Sequence, residues 1–95
     1  MVVLMAMIAV CLKIDEERVV QVLQEAGDKL DSAEGEVVLD FSAMLRIDAS
    51  ALKAMEAFAG IADNKGVKVV LRGVHIGVYR VLKLVKLASR FSFVS

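Results

Sequence analysis

Proline and tryptophan are absent from the sequence, and cysteine and histidine occur once each. With Cys11 alone, an intrachain disulfide framework is excluded and no thiol cluster remains for zinc or an iron–sulfur centre. His75 has no nearby Cys, His or carboxylate at metal-ligand spacing, so a turn or helix-start role is expected of it rather than catalysis. There is no Gly-rich phosphate loop, nucleophile elbow or zinc signature, and the basic residues lack the interleaved aromatics of a nucleic-acid module. An enzyme is therefore the weaker expectation, and no cofactor, metal or nucleic acid is expected. Long apolar runs are missing too. Met1 to Leu12 is uncharged but falls well short of the roughly 20 residues of a membrane helix and lacks the basic start of a signal peptide. No direct insertion into a membrane is expected, and the single cysteine fits a reducing, cytoplasmic setting.

Carboxylates are also missing from the last third of the chain. All 12 acidic residues lie between Asp15 and Asp63, whereas Lys65, Lys68, Arg72, Arg80, Lys83, Lys86 and Arg90 follow without one, although the formal net charge is zero. The plain consequence is that acidic and basic helices occupy different faces of one fold. A functional consequence would be a basic C-terminal helix that meets an acidic partner or an anionic surface.

What is present is a globular composition, 58% hydrophobic and 25% charged over 95 residues. That suits one domain, residues 1–95, with a core that needs no disulfide. The run from Met1 to Leu12 reads as a strand buried on both faces. Val2, Leu4, Ile8, Val10 and Leu12 fall on one side, and Val3, Met5, Met7, Ala9 and Cys11 on the other. Cys11 is then a small core residue. Acidic Asp15, Glu16 and Glu17 open a helix expected from Glu16 to Leu30, with Val19, Leu23, Ala26 and Leu30 at helical spacing and Gly27 weakening its end. The polar tract from Asp28 to Glu36 marks a surface turn, and Glu36 to Phe41 a short buried strand. A second helix is expected from Ala49 or Ser50 to Asn64, stopped by Gly66, and a third strand from Val67 to Leu71. Gly73 and Gly77 flank a turn. Val78 to Leu87 then reads as a helix with Val78, Leu82 and Val85 on one face, and Phe91, Phe93 and Val94 as a last short strand. Alternation of strand and helix implies an α/β fold with a mostly parallel sheet and right-handed crossovers.

The stretch VVLDFSAMLRIDASAL, Val37 to Leu52, holds a strand, a loop and a helix start in one unit. Loops at the carboxyl ends of parallel strands are the usual place for a binding site. The loop brings the Asp40 and Asp48 carboxylates into the same region, a pairing that is only suggestive without a substrate pocket. Asp48 suits the N-cap, where it would accept from the backbone N–H of Ser50 or Ala51 and stabilise the helix by about 1 kcal/mol. Ser50 then lies in the first turn with its hydroxyl free to face solvent. A phosphate there would meet the positive end of the helix but also the Asp48 carboxylate.

That stretch, followed by a helix, NKGVKVVLRGV and VYRVLKLVKLASRF, resembles a STAS domain, the module of anti-sigma factor antagonists and sulphate transporter tails. The likeness runs from about Val37 to Phe93, and more loosely from Val10 to Ala26. It implies a four-stranded sheet, or a five-stranded one, with packed helices, in a protein that works by binding. For the antagonists it implies a bacterial regulator of transcription, in which Ser50 is phosphorylated by a serine kinase that is also the anti-sigma factor. Partner contact would fall on Asp40, Arg46, Asp48, Ala49, Ser50 and Ala51. For the transporter branch it implies an unphosphorylated module that docks on a transporter subunit. Ala49 and Ala51 stand where the family often has a small hydroxyl residue and glycine, and Arg46 where an apolar residue is common. The short N-terminus leaves a sheet edge that favours a homodimer.

Overall fold

The computed structural model describes residues 10–30 and 35–94, and these form a small α/β domain. Strands β1 (Val10–Lys13), β2 (Glu36–Asp40), β3 (Lys68–Arg72) and β4 (Ser92–Val94) alternate with helices α1 (Val19–Asp28), α2 (Ala49–Lys65) and α3 (Ile76–Leu84). All strand pairs are parallel, and the spatial order β1-β2-β3-β4 repeats the order along the chain. Crossovers of one hand that always step the same way lay their helices on the same face of the sheet. Accordingly Val19 and Leu23 of α1, Met55 and Phe58 of α2, and Val78 and Leu82 of α3 share one core with Val37, Leu39, Val69 and Leu71 of the strands.

Strand β2 follows the alternation that a sheet with one helix-covered face imposes, whereas β3 buries Val69, Val70 and Leu71 in a row. In β2, Val37 and Leu39 are buried while Val38 and Asp40 are half-exposed. The same alternation corrects the expectation for Cys11: it is exposed, in register with Val38 on the face away from the helices. Leu12 packs against the core instead. The remainder of the expected first strand, Met1 to Ala9, lies outside the described residues.

Helix boundaries shift where backbone hydrogen bonds find better partners. The first helix starts at Val19 rather than Glu16, because the Asp15 Oδ1 accepts from the Arg18 N–H at 2.9 Å and closes a turn ahead of it. Gly27 is buried and useful there, since a Cβ at that position would meet Ile61 Cδ1 of α2 at 3.1 Å. The second helix ends as expected: Gly66 adopts φ 69°, and the Gly66 and Val67 amides donate to the Asp63 and Ala62 carbonyls.

The third helix stops at Leu84, three residues before the expected Leu87. The Lys86 and Leu87 amides close back on the Lys83 and Leu82 carbonyls at 3.1 and 2.8 Å, and Leu87 tucks into the core. That closure needs a left-handed residue, and Lys86 supplies it with φ 64°, leaving Val85 47% exposed instead of on the buried face. A left-handed lysine is strained where glycine is not. Replacing Lys86 by Gly is therefore expected to raise the urea unfolding free energy by about 0.5–1 kcal/mol, with Gly66→Ala lowering it by about 1 kcal/mol.

Candidate functional site

Parallel strands put the loops that follow β1, β2 and β3 at the carboxyl end of the sheet, and there they are tied together. The backbone carries the sheet pattern one residue further: Ile14 N–H donates to the Asp40 carbonyl at 2.9 Å and Phe41 N–H to the Arg72 carbonyl at 2.8 Å. Beyond that point the chain of residues 42–48 leaves the sheet. Met44, buried to 1% exposure, pins it to the core, and its N–H donates to the Phe41 carbonyl at 2.8 Å.

Glu16 fixes the outer part of this loop. Its Oε2 accepts from the Leu45 N–H at 2.8 Å and from the Arg46 N–H at 3.1 Å. Two backbone donors that would otherwise face only water are thereby held by one carboxylate from the loop before α1. Glu16 had the sequence signature of a first-turn helix acid. Its real partners lie 29 and 30 residues away, so no local spacing discloses them.

Asp48 is the N-cap of α2, extended at φ −103° and ψ 178°, and its Oδ1 accepts from the Ala51 N–H at 2.8 Å. Of the two donors that the sequence offers, Ala51 is the one used. Ser50 follows in the first turn, exposed, and lines a groove of ≈ 310 Å³ between α1 and α2 with Val20, Gln24, Lys53 and Ile61. A second cleft, of ≈ 250 Å³, brings Glu16, Arg46 and Asp48 together over Met44 and Ala51.

Asp40 does not join them. Its carboxylate Oδ1 accepts from the Ser42 N–H at 2.9 Å, and Oδ2 lies 3.5 Å from the Arg72 guanidinium, which also reaches Cys11 Sγ at 3.7 Å. This cluster follows the outward register of Cys11, Val38 and Asp40, so the carboxylate that shares a cleft with Asp48 is that of Glu16, not Asp40. The Ser42 amide, then the Ser42 hydroxyl and the Arg72 guanidinium, hold the Asp40 carboxyl below its ordinary value against the opposing pull of burial.

On the far side of Ser42, His75 precedes α3 as its N-cap residue, in the helix-start place expected of it. Its Nε2 lies 3.1 Å from the Ser42 carbonyl oxygen, which only accepts, so the ring donates there. Gly73, at φ 70°, lets the backbone pass close by; a Cβ would meet Ser42 Cβ at 3.1 Å.

Of the six residues to which the resemblance gives partner contact, Arg46, Asp48, Ala49 and Ser50 are exposed together. Ala51 is buried to 1% exposure and packs the core, and Asp40 turns to the opposite face. Leu45, 65% exposed beside Arg46, belongs to the same surface. An apolar residue in a short loop was its only sequence signal.

This arrangement defines a small parallel α/β domain whose loops meet at the carboxyl end of the sheet and present an exposed helix start. The family model of the STAS domain matches residues 6–95, and the chain belongs to the STAS domain family. Among solved structures it is similar to the NMR structure of the protein TM1081, at 19% identity and a TM-score of 0.74, over 90% of this chain and 72% of that one. That likeness carries the fold. Comparison with curated proteins returns no match. Among the described residues, no helix is long and apolar enough to cross a membrane.

Two outcomes follow from the geometry. Glu16→Ala is expected to cost about 1 kcal/mol and to speed amide exchange at Leu45 and Arg46 in NMR, leaving Met55 and Phe58 protected. Asp40 has a depressed folded value, so its stabilising effect is present above the ordinary carboxylate value and fades as pH falls through the folded one. The difference in urea unfolding free energy between wild type and Asp40→Asn is thus expected to be present at about pH 7 and to shrink as pH falls below the ordinary carboxylate range.

Proposed function

We propose that this domain is a protein-interaction switch resembling an anti-sigma factor antagonist, acting by binding rather than by catalysis. In the unmodified state it binds an anti-sigma factor that is also a serine kinase; phosphorylation of Ser50 makes that partner let go. The observation that carries this reading is the setting of Ser50: exposed in the first turn of α2, on a helix start held by the Asp48 cap and the Glu16 tether. Arg46, Ala49 and Leu45 extend the same exposed surface, on which a partner would rest.

The electrostatics give the switch its sign. A phosphate on Ser50 would add a charge of about −1.5 to −2 at neutral pH beside unpaired first-turn amides. Lys53, one turn along on the same groove, would offset part of that charge, and Asp48 would oppose it. The helix would remain folded while its surface changed from neutral hydroxyl to dianion. An interface closed over that hydroxyl would then hold an unmatched charge.

A second reading has a feature of its own in support. Arg80 and Lys83 on α3, and Lys86 and Arg90 after it, are exposed, and alanines flank Ser50. Both suit an unphosphorylated STAS binding module of a membrane transport complex, docked on a transporter subunit in the cytoplasm.

Incubation with ATP and the anti-sigma factor kinases of the host separates the two. The switch predicts one phosphate, placed on Ser50 by mass spectrometry, no labelling of Ser50→Ala, and at least tenfold weaker partner capture by Ser50→Asp. Labelling that persists in Ser50→Ala, or co-purification with transporter subunits in its place, would overturn it.

A further inference from the structure

The exposed side of α3 has no role in the Ser50 surface, yet its composition is unusual for a solvated helix face. Ile76 is 67% exposed and Leu84 81% exposed, and Val85 follows at the helix end. Arg80 and Lys83 stand between Ile76 and Leu84, and Lys86 follows Val85; all three are exposed. Positions 76, 80, 83 and 84 fall on one stripe of a helix, opposite buried Val78 and Leu82. Each exposed aliphatic residue thus has a cation within one turn.

Among the described residues, no carboxylate pairs with Arg80, Lys83 or Lys86. The sequence has no Asp or Glu after Asp63, and Asp63 is engaged by Arg90 at 2.8 Å. Arg72 of the underlying sheet is paired with Asp40. Lys83 lies over the Tyr79 ring, 5.8 Å from its centroid, a contact that leaves its charge uncompensated. Among the described residues, then, α3 presents positive charge and large aliphatic groups with no carboxylate beside them.

We propose that this face of α3, with its C-terminal corner at Val85 and Lys86, is a peripheral binding site for an anionic phospholipid surface. Protein-binding hot spots are typically aromatic or arginine anchors seated in desolvated pockets. Here the most exposed apolar groups, Ile76, Leu84 and Val85, are aliphatic, with cations among them, while Tyr79 and Phe93 lie half-buried in the clefts alongside. That is the composition of helices that lie in a headgroup layer, with aliphatic side chains reaching the acyl boundary and Lys or Arg meeting lipid phosphates. The interaction is peripheral and requires no spanning segment. It does not depend on Ser50.

The test is co-sedimentation with vesicles of phosphatidylglycerol mixed with phosphatidylcholine, against pure phosphatidylcholine. The protein is expected to pellet with the anionic vesicles alone, and less so as salt rises. Each cation near an anionic surface is worth about fivefold in affinity, so Lys83→Gln with Lys86→Gln together should weaken binding roughly 25-fold. Leu84→Gln should weaken it roughly tenfold. Lys68→Gln, away from α3, and Ser50→Ala should bind as wild type does, and circular dichroism melts should show every variant folded. Equal pelleting with both vesicle types, no pelleting at all, or binding indifferent to the α3 substitutions would overturn the proposal. So would retention on immobilised poly-glutamate without vesicle binding, which would assign the face to an acidic protein.

Discussion

Parallel pairing in chain order is the constraint on which the rest of this structure depends. Because β1, β2, β3 and β4 run the same way and sit side by side in sequence order, each strand ends at the same end of the sheet. Residues far apart in the chain become neighbours there. Glu16, after β1, holds the amides of Leu45 and Arg46, after β2; the Ser42 carbonyl, after β2, accepts from His75, after β3. The three loops are stitched in the order of their strands. Neutral donors bonded to a carboxylate make stronger contacts than neutral pairs do, and even exposed ones reduce the conformations open to a short loop. The start of α2 is in this way placed by the sheet, not only by its own cap.

Charge follows the same layout. Carboxylates dominate the first two thirds of the chain and cations the last, so the strand order spreads acidic groups towards β1 and basic ones towards β4. Two ion pairs cross the divide, Asp40 with Arg72 and Asp63 with Arg90. Exposed pairs of this kind contribute about 0–1 kcal/mol each. Their larger effect is on what remains: they remove Arg72 and Arg90 from the pool of free cations and leave the surplus on α3. The asymmetry becomes a local one, concentrated at Arg80 and Lys83 of α3 and at Lys86 just beyond it.

Much of this was legible before any coordinates, and the pattern of what was not is informative. The order of strands and helices, the Asp48 cap and the Gly66 stop all rest on periodicity or on contacts within four residues, and these the sequence displays directly. Cys11, Glu16 and Lys86 were misread for a common reason. An apolar run announces a strand but not which face its neighbours will cover, so Cys11 was assigned to a core that lies on the other side. Glu16 fits a helix start by composition, and only the meeting of two loops reveals its true acceptor role. Lys86 takes a conformation that glycine usually takes, because Leu87 must turn back to fill the core. Each miss is a tertiary demand overriding a sound local rule.

The same distinction bears on Ala51, which replaces a glycine common in the family. Its amide is already bonded to Asp48 and its side chain is packed at 1% exposure, so the methyl group faces inward. A substitution directed at the core does not by itself thicken the surface that a partner would approach. Ala49 is different, being exposed beside Ser50, where it replaces a hydroxyl with a methyl and removes one hydrogen-bonding group from that surface. The departures from the family pattern therefore differ in weight. The one that lies on the exposed side of the helix start can alter recognition, whereas the one beneath it chiefly alters packing.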